Sequence, residues 1–227
     1  MEMKKILFNN KFDCTICLNG EIPAKEIFNK ITNLPLLSAD GVAVKLFNLG
    51  IESDKIIGDL DSIYEHDNPK FYQINEQKLV KIDDQDTNDF EKVLKYATEQ
   101  NYLNCLVLGI NGGELEHTLN NWSVLMKYSD KMNLCVYTQN RYGIVINKNI
   151  TVTLKKDEIV SLIPACKAVV SSKNLNWELN NYLLEIGRSE GARNFVVSDN
   201  DVEIYLHEGK YFLFVESRLP FCFSYCD

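Results

Sequence analysis

Apolar positions follow two different rhythms along this chain. In the first half, short apolar runs at residues 15–18, 36–39, 55–57, 80–82 and 105–108 predict strands. Between them, helical periodicity predicts helices over 24–31 and 42–49, then from about Asn88 and from about Leu115. Short strands without polar alternation, separated by helices, imply a parallel sheet covered on both faces. From about Tyr137 the rhythm shortens to β-type runs at 144–146, 150–154, 159–163, 168–170, 195–197, 202–206 and 211–215. Polar punctuation such as Lys155-Lys156-Asp157 and His207-Glu208-Gly209 separates them, the pattern of an antiparallel sandwich. The expected fold class is α/β: an N-terminal parallel-sheet α/β domain over 1–138, then a C-terminal antiparallel β-sandwich over 139–227. The aromatic tail 221–226 is expected to pack on the body or on a partner.

Parallel sheets collect ligands beyond the carboxyl ends of their strands, and the polar motifs of this chain fall there. After Ile56-Ile57 comes Gly58-Asp59-Leu60-Asp61. In an extended chain Asp59 and Asp61 point the same way, and two like charges on one face favour a hard divalent ion, Mg²⁺ or Mn²⁺. An ordinary solvated turn accounts for the same residues. Further on, Phe90, Val93, Leu94 and Ala97 mark the buried face of a helix that Asp86, Thr87 or Asn88 caps. Asp86, Asp89 and Lys92 are spaced three apart along one edge. Lys92 is there either to pair with phosphate oxygens or to form a surface ion pair with Asp89. The stretch 109–120 places a glycine-rich turn between strand and helix, which lets backbone amides approach a phosphate. On that helix Leu115, Leu119, Trp122 and Met126 are expected on the buried face, with Glu116 and Asn120 as ligand contacts on another. His117 is read as a structural residue, since no nucleophile stands near it in the motif.

Composition narrows the chemistry. A formal charge of -8 disfavours a nucleic-acid surface, so a phosphate-bearing substrate requires a metal escort. With 227 residues, 45% of them hydrophobic, a substantial core is available to one large domain or two modest ones. Seven cysteines at irregular positions do not make a disulfide framework. Cys14 and Cys17 form one C-x-x-C without a second pair, and the three histidines lie far off in sequence, so buried thiols on a strand explain them better than zinc. No secretory or membrane-spanning apolar stretch is present, and the chain reads as reduced, soluble and cytoplasmic.

The order of the motifs resembles the thiamine pyrophosphokinase family. The resemblance rests on Asn19-Gly20, Ala39-Asp40-Gly41, Gly58-Asp59-Leu60-Asp61-Ser62, the acidic run from Asp84 to Lys92, the stretch 109–120, and Leu175-Asn176-Trp177-Glu178-Leu179 followed by Gly187 and Asn194. It implies an enzyme that transfers a diphosphoryl group from ATP to the hydroxyl of thiamine. An α/β nucleotide domain would precede a β-sandwich, and the thiamine site would be shared between the subunits of a homodimer. Carried onto this chain, it implies that Asp40, Asp59, Asp61 and Asp89 surround Mg²⁺ and the phosphates, and that Lys92 neutralises charge developing there. Asn19, Gly20, Gly41, Gly112, Gly113 and Thr118 would lie around ATP. Gln85 and Glu116 would face thiamine, joined by Trp177 and Asn194 from the other subunit's sandwich. Asp61 or Asp89 would take the hydroxyl proton.

This chain departs from the family pattern at several places. Val42 and Val44 replace small or amide residues, Glu114 stands where an arginine is usual, Glu116 where an aspartate is usual, and Arg193 where a serine is usual. Those changes keep two rival readings open: a Mg²⁺-dependent transferase or hydrolase acting on another small substrate, and a non-catalytic relative that binds thiamine and nucleotide.

Overall fold

The computed structural model describes residues 2–61 and 75–226; Ser62, at the end of the Gly58 to Ser62 motif, lies outside them. The chain divides into two compact units, Lys11–Thr138 and Met1–Asn10 with Gln139–Asp227. Strand β1 (Lys4–Lys11) starts the chain but pairs within the second unit, parallel to a strand at Ile150.

Among the described residues six strands build the α/β unit: β2 (Cys14–Cys17), β3 (Leu36–Ala39), β4 (Lys55–Gly58), β5 (Leu79–Lys81), β6 (Asn104–Leu108) and β7 (Asn133–Thr138). All pair in parallel, in the order β7-β6-β2-β3-β4-β5. Every residue of β2 and β3 is buried, which is why the sequence shows continuous apolar runs there instead of alternation. The helices are α1 (Lys25–Asn29), α2 (Asp40–Asn48), α3 (Asp89–Glu99) and α4 (Leu115–Tyr128). On α3 the expected Phe90, Val93, Leu94 and Ala97 are all buried, and Asn88 is the cap, its Oδ1 accepting the Glu91 N–H at 2.9 Å. Asp86 lies ahead of the helix, so only Asp89 and Lys92 share the edge that spacing suggested.

Helix α4 differs from its expected face. Leu115 and Leu119 are 68% and 62% exposed, whereas Val124 and Leu125 are the buried residues. The far end is anchored to α3 through Glu91, whose Oε1 accepts from Lys127 Nζ at 2.6 Å and from Tyr128 Oη at 3.2 Å. That carboxylate and burial push the Tyr128 phenol up to about 12, with burial the larger cause.

In the second unit, β8 (Arg141–Ile146), β9 (Ile150–Thr153), β13 (Asp201–Glu216) and β14 (Phe221–Cys226) join β1 in the order β14-β1-β9-β13-β8. Strand β10 (Ile159–Lys173) pairs antiparallel with β11 (Tyr182–Glu185), β12 (Gly191–Phe195) and β13. Pairs of short runs in the sequence are thus halves of two long strands. The ladder between β10 and β13 shifts register from Pro164 to Ala168, and there Gly209 sits at φ 81. A Cβ on Gly209 would lie 2.0 Å from the Lys167 carbonyl oxygen, so the backbones touch where the sequence pattern breaks. The tail is strand β14, with Cys222 and Phe223 buried. None of the seven cysteines is in a disulfide, and Cys14 and Cys17 are buried. Among the described residues no helix is long and apolar enough to cross a membrane.

Replacing Gly209 by Ala combines a disfavoured positive φ with a backbone clash. It should destabilise the chain by about 1–3 kcal/mol in urea denaturation.

Candidate active site

Reversal of strand order puts the switch point of the parallel sheet between β2 and β6, and the loops leaving these two strands run side by side. Gly20 N–H donates to the Gly109 carbonyl at 3.0 Å and Glu21 N–H to the Asn111 carbonyl at 2.6 Å. Gly109, at φ 68, has no room for a Cβ beside the Leu18 carbonyl, and Gly20 has none beside the Asn111 carbonyl. These two glycines are required by loop-to-loop contact. Gly113, at φ 72, faces open space. The loop after β6 is tied down from α4: Trp122 Nε1 donates to Asn111 Oδ1 at 3.0 Å, and Thr118 Oγ1 to the Gly112 carbonyl at 3.3 Å.

A cleft of about 470 Å³ opens over this switch point, its lining including Asn19, Gly20, Lys45, Asp89, Gly112 and Gly113. His117 also lines it, paired with Glu114 at 3.2 Å. Lys45 is a residue the sequence reading missed, because it was absorbed into an apolar helix. Its position among Val42, Val44 and Leu46 was the available signal, since a lone lysine in such a stretch needs a polar surface to face.

Beside the cleft, three carboxylates and one ammonium converge from separate segments. Asp40 opens α2 directly after β3 and is 1% exposed. Its Oδ1 accepts the Gly41 N–H at 2.7 Å and its Oδ2 the Leu60 N–H at 2.9 Å. Gly58 makes room for it, because a Cβ there would stand 2.4 Å from the Asp40 carboxyl carbon. Lys92, 3% exposed, places Nζ 3.0 Å from Asp59 Oδ2 and 3.4 Å from Asp89 Oδ1. Burial raises Asp40 to about 6, and the charges of Asp89 and Asp59 add to it against the two N–H donors. Asp59 is held below the ordinary carboxylate range, first by its hydrogen bond from Lys92. Burial acts to lower the Lys92 ammonium, but Asp59 and Asp89 together outweigh it and the ammonium is raised.

Asp61 departs from the expected geometry. Leu60 is buried at φ 70, so the Asp59 to Asp61 segment is not extended and the two carboxylates do not project as a strand pair. Asp59 turns to Lys92, while Asp61 is exposed, its N–H 3.4 Å from Asp59 Oδ1. A left-handed leucine between two acids is a strained backbone of the kind found at ligand sites.

Gln85 and Glu116 are both exposed, the first on the loop before α3 and the second in the first turn of α4. That loop is held by Asp84, which accepts from Lys95 Nζ, Thr87 Oγ1 and the Asp86 N–H. In the sandwich unit Trp177 is 60% exposed, outside the core. Asn194 is buried and acts as its clamp: Oδ1 accepts the Trp177 N–H at 3.1 Å, and Nδ2 donates to the Trp177 carbonyl at 2.8 Å. Phe195 supports the indole edge-on at 5.6 Å between centroids.

The donor set of the acidic centre is of the kind a hard divalent ion takes, three carboxylates against one ammonium, with the Asp40 carboxyl raised first by burial and then by the charges of Asp89 and Asp59. Among the described residues no group of three or more His, Cys, Asp or Glu side chains is placed to hold a metal ion by itself. Magnesium requires none, since it keeps waters and takes one or two carboxylates together with substrate phosphates.

Comparison with known proteins finds two family models on the chain. The thiamin pyrophosphokinase catalytic domain matches residues 31–137, and the thiamin pyrophosphokinase vitamin B1 binding domain matches residues 145–211. Thiamin pyrophosphokinase 1 of Caenorhabditis elegans is 27% identical over 216 residues, covering 86% of each chain. Among solved structures, thiamin pyrophosphokinase from Geobacillus thermodenitrificans superposes at a TM-score of 0.74 with 21% identity, covering 91% of this chain and 98% of its own. The yeast enzyme does so at 0.73 with 21% identity, covering 92% and 87%.

Two measurements check the local geometry. Gly58→Ala should push the Asp40 carboxyl off its N–H donors and lower stability by about 1–3 kcal/mol, read by thermal or urea unfolding. Asp84 should titrate near 2 by carboxyl NMR, first because of Lys95. Its folded value is depressed, so its ordering of the Gln85 loop is present at neutral pH and lost as pH falls towards 2.

Proposed function

The chain belongs to the thiamine pyrophosphokinase family, and from that premise we propose that the acidic centre beside the switch-point cleft is where it transfers a diphosphoryl group from ATP to thiamine, yielding thiamine diphosphate and AMP. The observation that carries this assignment is the convergence of Asp40, Asp59, Asp89 and buried Lys92 at the carboxyl ends of β3 and β4 and the start of α3.

ATP occupies the cleft, with Asn19, Gly20, Gly41, Gly112, Gly113 and Thr118 shaping its surroundings and Lys45 available to the phosphates. Asp40, Asp59 and Asp89, with Asp61 at the rim, are the residues that would hold Mg²⁺. The chemistry the ion supplies there is neutralisation of phosphate oxygens. The thiamine hydroxyl attacks the β-phosphorus in line. The bond from that phosphorus to the α,β-bridging oxygen breaks, AMP leaves, and the hydroxyl proton passes to Asp61 or Asp89. Lys92 offsets charge on the transferring group, a task of positioning and electrostatics that needs no covalent intermediate. Glu114 does not replace an arginine's donors, and Lys45, which also lines the cleft, is the cation that takes over contact with phosphate.

Gln85 and Glu116 face thiamine. Trp177, clamped by Asn194, completes the pocket from the other subunit of a homodimer; its exposure supports that role, since an indole in its own core would be unavailable. Seven cysteines outside any disulfide support a cytoplasmic setting.

With Mg²⁺ and ATP, AMP should appear in equal amount with thiamine diphosphate and only when thiamine is supplied. AMP formed without thiamine would point to a hydrolase, and binding of both substrates without turnover to a non-catalytic relative. Lys92→Met should lower kcat by about 10²–10³-fold. Trp177→Ala should instead raise KM for thiamine by roughly tenfold, with dimer mass unchanged in light scattering.

A further inference from the structure

The sandwich unit carries a cationic, aromatic face next to Trp177. Register pairs Phe214 with Ser161 and Ile159 with Phe195, so these side chains share one side of the sheet. Arg141 stacks over Phe214, its guanidinium carbon 5.9 Å from the ring centroid. Its Nη2 donates to the carbonyls of Ile159 at 2.9 Å and Phe214 at 2.7 Å, and its Nη1 lies 3.5 Å from Ser161 Oγ. Arg193 meets the same serine, its backbone N–H donating to Ser161 Oγ at 2.9 Å. Trp177 leans on Phe195 from the adjoining turn.

Charge on this face is not balanced within it. Burial lowers the Arg141 guanidinium, and the positive charge of Arg193 lowers it further. Glu158 and Glu216 act in the opposite sense, but Arg218 engages both, at 2.6 Å and 3.8 Å. Among the described residues neither Arg141 nor Arg193 makes an ion pair, and the Arg193 side chain is exposed. One guanidinium over an aromatic ring and a second, exposed one beside it, with the acids already taken, form a receptor for a planar ligand bearing an anionic group. Thiamine is itself a cation and gains nothing from them. Its phosphate esters gain a bidentate partner.

We infer that Arg193, supported by Arg141, forms an anion subsite on the sandwich face that makes this chain hold the phosphate esters of thiamine, above all its own diphosphate product, more tightly than thiamine. The inference rests on the reading of Trp177 and Asn194 given above. It assigns Arg193, a serine position in the family pattern, to the retention of product.

Isothermal titration of the full-length chain in chelator, with thiamine, thiamine monophosphate and thiamine diphosphate in turn, tests this. The diphosphate should bind about tenfold more tightly than thiamine, the margin shrinking at high salt. Arg193→Ser should reduce that ratio about tenfold, and Arg193→Lys should keep part of it. Serine at φ 58 bears the same backbone strain as arginine, so the charge is what changes. A monophosphate as tight as the diphosphate assigns the subsite to any phosphate ester of the vitamin; a gain confined to the diphosphate assigns it to the product. A ratio that stays within about twofold in Arg193→Ser overturns the inference. If wild-type protein binds no thiamine and releases no AMP, it is the proposed reaction that falls.

Discussion

A single buried ammonium, that of Lys92, keeps the acidic centre of this chain from driving itself apart. Asp40, Asp59 and Asp89 reach the same small volume from the ends of two strands and the start of a helix, and bringing them together in a weakly solvated place is electrostatically costly. Lys92 neutralises part of that charge through Asp59 and Asp89, and the N–H groups of Gly41 and Leu60 cushion Asp40. Repulsion is reduced without being cancelled. The remaining negative charge is held in place by β3, buried at every residue, and by β4, buried at all but Lys55, so it cannot relax by moving apart.

Much of this plan was legible because local signals and the fold agreed. The continuous apolar runs named β2, β3, β4 and β6 to within a residue or two, and the cap at Asn88 with the face of Phe90, Val93, Leu94 and Ala97 located α3. Readings failed where long-range packing overrode local pattern. Leu115 and Leu119 keep helical spacing with Trp122 and Met126, yet the sheet and α3 support only the later turns of α4. Strands β10 and β13 looked like four short ones because bulges and Gly209 interrupt their alternation. Strand β1 carries polar residues along much of its length, so its pairing with β9 left no clear mark. Among site residues, the acidic positions were visible as acids after strands. The left-handed turn at Leu60, which separates Asp59 from Asp61, is a backbone property that side-chain spacing does not encode.

Asn194 illustrates a second kind of limit. As a sequence letter it reads as a polar contact for a ligand, whereas its amide is committed to both backbone groups of Trp177. Its contribution is to present the indole in a fixed place. Lys45 shows the reverse: an unremarkable helical lysine that lines the cleft because the loop after β2 brings Asn19 to it. Which polar residues act directly and which hold others in position is decided by hydrogen bonds between segments far apart in the chain.

The contact between Gly58 and Asp40 limits the order in which this chain can change. The two residues lie on different strands' ends, yet the volume left by a missing methyl at one is filled by the carboxyl of the other. A larger residue at 58 is therefore free of the clash only once 40 has shrunk, and by then the acid is gone. Once both residues have changed, no single substitution restores the carboxylate to its donors.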